Sequence, residues 1–414
     1  MTENASPSTA PKRVFGLHPN VFFLGLVSFF TDTSSELIFT LLPLFLLNVL
    51  RVATPFIGLI EGIAESTATL LKFFSGWLSD RAGERKWITI VGYGISTAVK
   101  PFMLFATAWG AVLGVRFADR VGKGIRSAPR DAMIADSITP AERGKAYGLH
   151  RTMDTAGALL GILLAALVVL LTQGQKLELT AETFRKLVIF GLVPALLAML
   201  MFFFVREKGR KAVTQTAGVP RDDPPPVAVA GNGFDARFKI FIGLMVVFTL
   251  GHFSDAFLIL RAQERGGSVF ITLLMLATFN LVYSFVSVPA GVLSDKLGRK
   301  TVLLMGWGLS ILVYLGFAFA GENSLWQIWL LFAIYGVFYG TTEGVARAFV
   351  ADLAGGARRG TAFGIYHGAV GVSLLPASLM AGFLWQAVSP AAPFLVGAGL
   401  SLVAAVGLLA LVRR

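Results

Sequence analysis

Gly76-Trp77-Leu78-Ser79-Asp80-Arg81-Ala82-Gly83 is echoed by Gly291-Val292-Leu293-Ser294-Asp295-Lys296-Leu297-Gly298, 215 positions further on. A second pair repeats at nearly the same interval. Asp136, followed by Arg143-Gly-Lys-Ala-Tyr-Gly148, returns 216 positions later as Asp352, followed by Arg359-Gly-Thr-Ala-Phe-Gly364. Two unrelated strings sharing one offset indicate that half of the chain duplicates the other.

What is duplicated is apolar. Of the 414 residues, 55% are hydrophobic and only 14% charged, too few polar residues to cover a soluble protein of this length. A spanning helix needs about twenty mostly apolar residues. Residues 187–205, 301–321 and 390–412 satisfy that without a charge. Continuing along the chain, spans are expected at 20–47, 54–79, 87–107, 109–136, 144–172 and 185–205. Six more are expected at 237–262, 269–294, 300–320, 325–352, 359–386 and 390–412, giving an all-α membrane protein of twelve helices. The organisation expected is a tail (1–19), a six-helix bundle (20–205), a polar linker (206–236) with Arg-Asp-Asp-Pro-Pro-Pro, and a second six-helix bundle (237–414). The first apolar stretch is too long for a cleaved signal, so it reads as a retained helix.

The net charge of +12 resembles that of a nucleic-acid binder, but its placement argues against one. Lys12, Arg13, Arg81–Lys86, Arg143–Lys145, the linker, Lys296–Lys300, Arg358–Arg359 and Arg413–Arg414 all fall in turns on one side. The opposite turns carry little positive charge. Lys and Arg are retained on the cytoplasmic side, so both termini are expected there and no nucleic-acid partner is needed.

The string GWLSDRAGERK is similar to the loop 2–3 signature of the major facilitator superfamily, and GVLSDKLGRK resembles its weaker loop 8–9 copy. The resemblance implies two six-helix halves that rock about a central site near the bilayer midplane. It also implies a charge latch formed by Asp80, Arg81, Asp136 and Arg143, with Asp295, Asp352 and Arg359 in the second copy. Glu84 stands where that signature usually has a base. Arg85 and Lys86 read as topogenic charges with no gating role.

The fourth span carries Arg116-Phe-Ala-Asp119-Arg120-Val-Gly-Lys123-Gly-Ile-Arg126-Ser-Ala-Pro-Arg130-Asp131. Each of its five cations costs a few kcal/mol if it faces lipid. At 100° per residue, Arg116, Asp119, Arg120, Lys123, Ser127, Arg130 and Asp131 share an arc of about 120°. Such a stripe lines water, a ligand or partner carboxylates. In the superfamily this helix lines the cavity, and the string resembles a bacterial and archaeal branch without a defined substrate. Two readings stand open. Arg116, Arg120 and Lys123 form an anion site, or they form a salt-bridge network with Asp32, Glu36, Glu61, Glu65, Asp119, Asp131 and Asp154.

Asp32 and Glu36 lie four apart on the first span and share a face. A loose alignment of the halves sets Asp255 of the seventh span opposite Glu36. Carboxylates in low dielectric are suited to carrying a coupling proton, and Asp32, Glu36 and Asp154 are the candidates. On the fifth span Arg151 and Asp154 are one turn apart and able to pair. Gly148, Gly157 and Gly161 there resemble the antiporter signature of the superfamily's exporters, with Ile162 in place of its proline. Glu343 and Arg347, four apart, are also expected to pair.

With four His, no Cys and no phosphate-cradling loop, neither a metal site, a nucleophile–base pair nor direct ATP hydrolysis is readable, and no cofactor is expected. The reading is a monomeric multi-pass protein of the plasma (inner) membrane, moving a small solute by alternating access with a proton as coupling ion. Export of an anionic or zwitterionic solute is expected, with Arg116, Arg120, Lys123, Glu36 and Asp255 at the substrate. The alternatives are a multidrug antiporter, for which 35 Phe residues supply greasy surface, and a receptor on a transporter fold.

Overall fold

A computed structural model describes residues 13–14, 18–82, 85–139, 142–206, 234–322, 324–354 and 359–410, almost all helical. In order come α1 (Pro19–Val49), α2 (Thr54–Ala82), α3 (Arg85–Phe105), α4 (Trp109–Asp136), α5 (Arg143–Gln173) and α6 (Ala181–Phe204). Then follow α7 (Ala236–Glu264), α8 (Val269–Leu297), α9 (Arg299–Phe319), α10 (Leu325–Ala354), α11 (Arg359–Ala387) and α12 (Ala392–Ala410). Among the described residues, ten of these are long and apolar enough to cross a membrane. The other two, α2 and α4, are as long (29 and 28 residues) but carry the charges that set them apart. Most of the expected linker lies outside the described residues.

Local chemistry sets the helix ends. Thr180 and Ser268 cap α6 and α8 by accepting from the amides of Thr183 and Ile271. Gly298, at φ +87, separates α8 from α9 with a backbone conformation that costs a side-chain-bearing residue dearly. One break was not expected. α7 opens between Gly251 and Ala256, where Ser254 donates its amide to Ser378 Oγ of α11 at 3.1 Å. Asp255 is thereby set at the start of the second segment.

α1 packs on α5 and α6, α4 on α2 and α3, α10 on α8 and α9, and α12 on α9 and α7. α2 against α11 and α5 against α8 join the two groups. Asn20, at the start of α1, bonds Ser137 and Arg206 beyond the ends of α4 and α6, so these share one face, here called near. On the far face the ends of α1 and α7 are clasped. Asn48 Nδ2 donates to Gln263 Oε1 at 3.2 Å, and Gln263 Nε2 donates to Asn48 Oδ1 at 2.9 Å and to Leu177 O at 2.6 Å. Asn48 Oδ1 also accepts from Leu179 N at 3.0 Å. Asn48 and Gln263 are 215 positions apart, the interval of the duplicated strings, so the clasp joins equivalent positions of the two copies.

Near-face ion pairs repeat in the same way. Arg85 bonds Asp136, and Arg299 bonds Asp352 at 2.5 Å and Asp295 at 3.2 Å. Arg85 is therefore a partner of Asp136, not a charge serving topology alone. Its position at the first turn of α3 brings it against the last turn of α4. The side chains of Asp80, Arg81, Arg143 and Arg359 lie outside the described residues.

The glycines of α5 differ in role. A Cβ at Gly157 or Gly161 would collide with the backbone of α1 at Phe29 and Thr33, whereas at Gly148 nothing lies within 4 Å. Gly157→Val should therefore lower stability by about 1–3 kcal/mol through overpacking, and Gly148→Val by little. Thermal unfolding of the detergent-solubilised variants checks the difference.

Candidate functional site

Between the two groups of helices lies a cavity of about 350 Å³. Its charged wall comes from α1, α2 and α4: Glu36, Glu61, Glu65, Arg116, Arg120 and Lys123. Its other wall, from α7, α8 and α10, holds His252, Asp255, Phe279, Asn280 and Tyr339. The structure thus brings Arg116, Arg120, Lys123, Glu36 and Asp255 to one cavity.

The stripe on α4 divides into three. Arg116, 6% exposed, lies over the Phe39 ring at 4.7 Å and donates from Nη2 to Glu61 Oε2 at 2.9 Å. Arg120 Nη1 stands 3.4 Å from Glu65 Oε1, and its Nε 3.5 Å from Asp119 Oδ2. Glu61 and Glu65 are four apart on α2, as Arg116 and Arg120 are on α4, so two turns of facing helices form a two-rung ladder. Lys123, one turn further, has no carboxylate within 4 Å among the described residues. That is the first part.

The second part is structural. Asp119 is buried, accepts from Ser96 Oγ of α3 at 2.6 Å, and faces away from the cavity. Arg126 lies over the ring of Tyr93 at 4.3 Å. The third part belongs to the near face. Arg130 bonds Asp131 from Nη2 at 2.9 Å and Ser28 of α1 from Nη1 at 2.9 Å.

The acids divide as well. Glu36 Oε2 accepts from Thr40 of its own helix at 2.6 Å, and Asp255 Oδ1 accepts from Tyr335 of α10 at 2.8 Å. Neither has a cation within 4 Å among the described residues. Asp32 and Asp154 do not line the cavity. They face each other's charge across α1 and α5, in the field of Lys123 and Arg130. Asp154 Oδ2 lies 3.5 Å from His150 Nδ1, and His150 Nε2 is 3.2 Å from Ser28 Oγ.

Arg151 and Asp154, able to pair by spacing, form no ion pair within 4 Å among the described residues. Arg151 is turned out of α5 toward α8, where Nη2 donates to Tyr283 at 2.5 Å and lies 3.9 Å from Glu343. Glu343 accepts from Tyr283 and pairs with Arg347 at 2.8 Å, the one-turn pair expected on α10. This bridge joins the two groups of helices on the near side of the cavity. Sequence reading missed it, along with Tyr335 and His252. Its signal was the four-residue spacing of Tyr335, Tyr339, Glu343 and Arg347 on one face of α10.

The sequence pattern of the Major Facilitator Superfamily matches residues 24–254 and 240–414. An uncharacterised MFS-type transporter of Methanocaldococcus jannaschii is 36% identical over 400 residues, 95% of each chain. The class B tetracycline resistance protein of Escherichia coli is 31% identical over 129 residues, 31% of each chain. Among solved structures, the nucleoside transporter NupG superposes with TM-score 0.74 at 14% identity, over 95% of this chain and 99% of NupG. A POT family transporter in complex with 5-aminolevulinic acid gives 0.78 at 12% identity, over 97% of both chains. The chain belongs to the Major Facilitator Superfamily; it is a transporter and not an enzyme.

The Arg116–Glu61 rung is buried on both sides, so losing one partner strands the other charge. Arg116→Met should cost about 3–5 kcal/mol, and the double variant Arg116→Met/Glu61→Leu should recover most of it. Chemical or thermal unfolding of the single and double variants measures the coupling.

Proposed function

We propose a secondary active transporter working by alternating access, exporting a small anionic or zwitterionic solute in exchange for protons. The carrying observation is the cavity between the two groups of helices, in which Arg116, Arg120, Lys123, Glu36 and Asp255 meet. A mixed-charge cavity in a low-dielectric setting binds charged solutes strongly and hydrocarbon poorly.

In this reading all twelve helices cross the plasma (inner) membrane of a monomer. Glu61, Glu65, Arg116 and Arg120 of α2 and α4 face one another across the ladder, and Lys123 faces the cavity, so none of these five is turned to lipid. Residues 20–205 and 237–414 are the moving halves, 206–236 is the linker, and the basic near face is cytoplasmic. The far-face clasp then closes the outside. Asp136 and Asp352, with Arg85 and Arg299, serve as latches on the cytoplasmic side, and Asp80, Arg81, Asp295, Arg143 and Arg359 complete them. Asp32, Glu36 and Asp154 carry the coupling proton. A second reading, multidrug/proton antiport, is favoured by the rings of Phe39, Phe253, Phe279 and Tyr339 on the cavity. The tetracycline resistance relatives favour it too.

Two measurements test these readings. The first uses proteoliposomes loaded with a pH-sensitive dye and challenged with a panel of small carboxylated, phosphorylated and zwitterionic solutes, and a panel of lipophilic cations. Proton flux driven by the first panel, reduced more than about tenfold in Lys123→Gln, is expected from loss of a charge-assisted contact. Flux with lipophilic cations alone, unchanged in Lys123→Gln, establishes the second reading instead. The second measurement concerns the clasp. Asn48→Ala should raise labelling of single cysteines placed along the far end of the cavity, an approach the cysteine-free chain allows directly. Unchanged labelling would show that Asn48 and Gln263 do not hold that face shut.

A further inference from the structure

The charges on the cavity wall do not cancel, and the remainder has a definite composition. Arg116 is matched by Glu61 and Arg120 by Glu65, which leaves Lys123, Glu36 and Asp255 without an ionic partner within 4 Å among the described lining residues. Each of the three is only partly buried, so its charge reaches the cavity. Lys123 stands on α4, at the near end of the ladder. Glu36 and Asp255 stand on α1 and α7, and both line the cavity.

The free valences agree with this division. Glu36 and Asp255 each have one oxygen held by a hydroxyl, from Thr40 and Tyr335, and one oxygen without a hydrogen-bond donor among the described residues. Lys123 Nζ donates to none of them. The wall therefore offers an ammonium at one pole and two acceptor-only carboxylate oxygens at the other.

A solute bearing only an anion satisfies Lys123 but brings a third negative charge beside Glu36 and Asp255. One bearing only a cation satisfies the acids and leaves Lys123, which has Asp32 in its field but no carboxylate within 4 Å among the described residues, without a direct partner in the cavity. A solute with one of each satisfies both poles. We propose that the transported solute is a small amino-acid-like zwitterion, its carboxylate on Lys123 and its ammonium between Glu36 and Asp255. This rests on the mixed-charge reading of the cavity given above and narrows it. The cavity of about 350 Å³ lies at the small end of ligand pockets, roughly 300–1,000 Å³, so the solute is a single compact molecule.

The experiment measures binding of a panel of small α- and ω-amino acids to the full-length detergent-purified protein by calorimetry. Each is paired with the amine lacking its carboxylate and the acid lacking its ammonium. The expected result is that at least one zwitterion binds more than about tenfold more tightly than both truncated partners. Lys123→Gln should erase its advantage over the amine, and Asp255→Asn its advantage over the acid. Lys123→Arg, which keeps the charge, should retain most of the first advantage, and melting curves identify any variant that has not folded. Equal binding of a truncated partner, an advantage untouched by both variants, or no binding across the panel overturns the proposal. Transport of another solute class in the proteoliposome assay at the same time would sink the zwitterion assignment and leave the transporter reading standing. Absence of flux with every panel would sink both.

Discussion

The two-rung ladder between α2 and α4 is the interaction on which the interior depends. Two guanidinium groups on one helix face two carboxylates on its neighbour at matching four-residue intervals. Neither helix is tolerable in an apolar setting alone, because an unpaired buried charge costs several kcal/mol. Together they form one wall that is polar inward and apolar outward. The hydroxyl of Ser96 and the ring of Tyr93 take up Asp119 and Arg126, so α3 is drawn into the same arrangement. This is also why α2 and α4 fail a purely hydrophobic criterion for membrane crossing while having the length for it.

The ladder leaves the opposite wall free to be different. α7, α8 and α10 bring rings and hydroxyls rather than cations, and their one lining acid, Asp255, is held by Tyr335. The break in α7 makes this possible. An unbroken helix would bond its own backbone through residues 252–255; here Ser378 of α11 takes the amide of Ser254 instead. Above and below the cavity the two groups of helices are tied by different chemistry. Neutral amides join α1 to α7 on the far face, and a chain from Arg151 through Tyr283 to Glu343 bridges the near side. Amide hydrogen bonds net about 1 kcal/mol each in water's presence, so the clasp contributes only a few kcal/mol to the join.

Much of this is legible in the sequence. The duplicated strings gave the repeat, and the apolar runs gave helix positions within a few residues, because hydrophobic length is a local property. The α4 stripe was visible because helical periodicity places charges on one face wherever that face points. The pairing of Glu343 with Arg347 followed from one-turn spacing, and it holds. Arg151 shows the limit of that rule. Asp154 is one turn away in sequence, yet Arg151 leaves it for a tyrosine and a carboxylate on α8 and α10, which only packing brings near.

The sequence by itself determined the class of protein, the helices, the repeat and which side chains had to be hidden from lipid. Each follows from composition and spacing within one segment or from comparing two segments. The tertiary structure decided which charge meets which. Glu61 and Glu65 answer Arg116 and Arg120, Arg85 answers Asp136, and Lys123, Glu36 and Asp255 are left facing the cavity. Periodicity says which face of a helix is polar; the partner of each charge is set by the neighbour that packing places a few ångströms away.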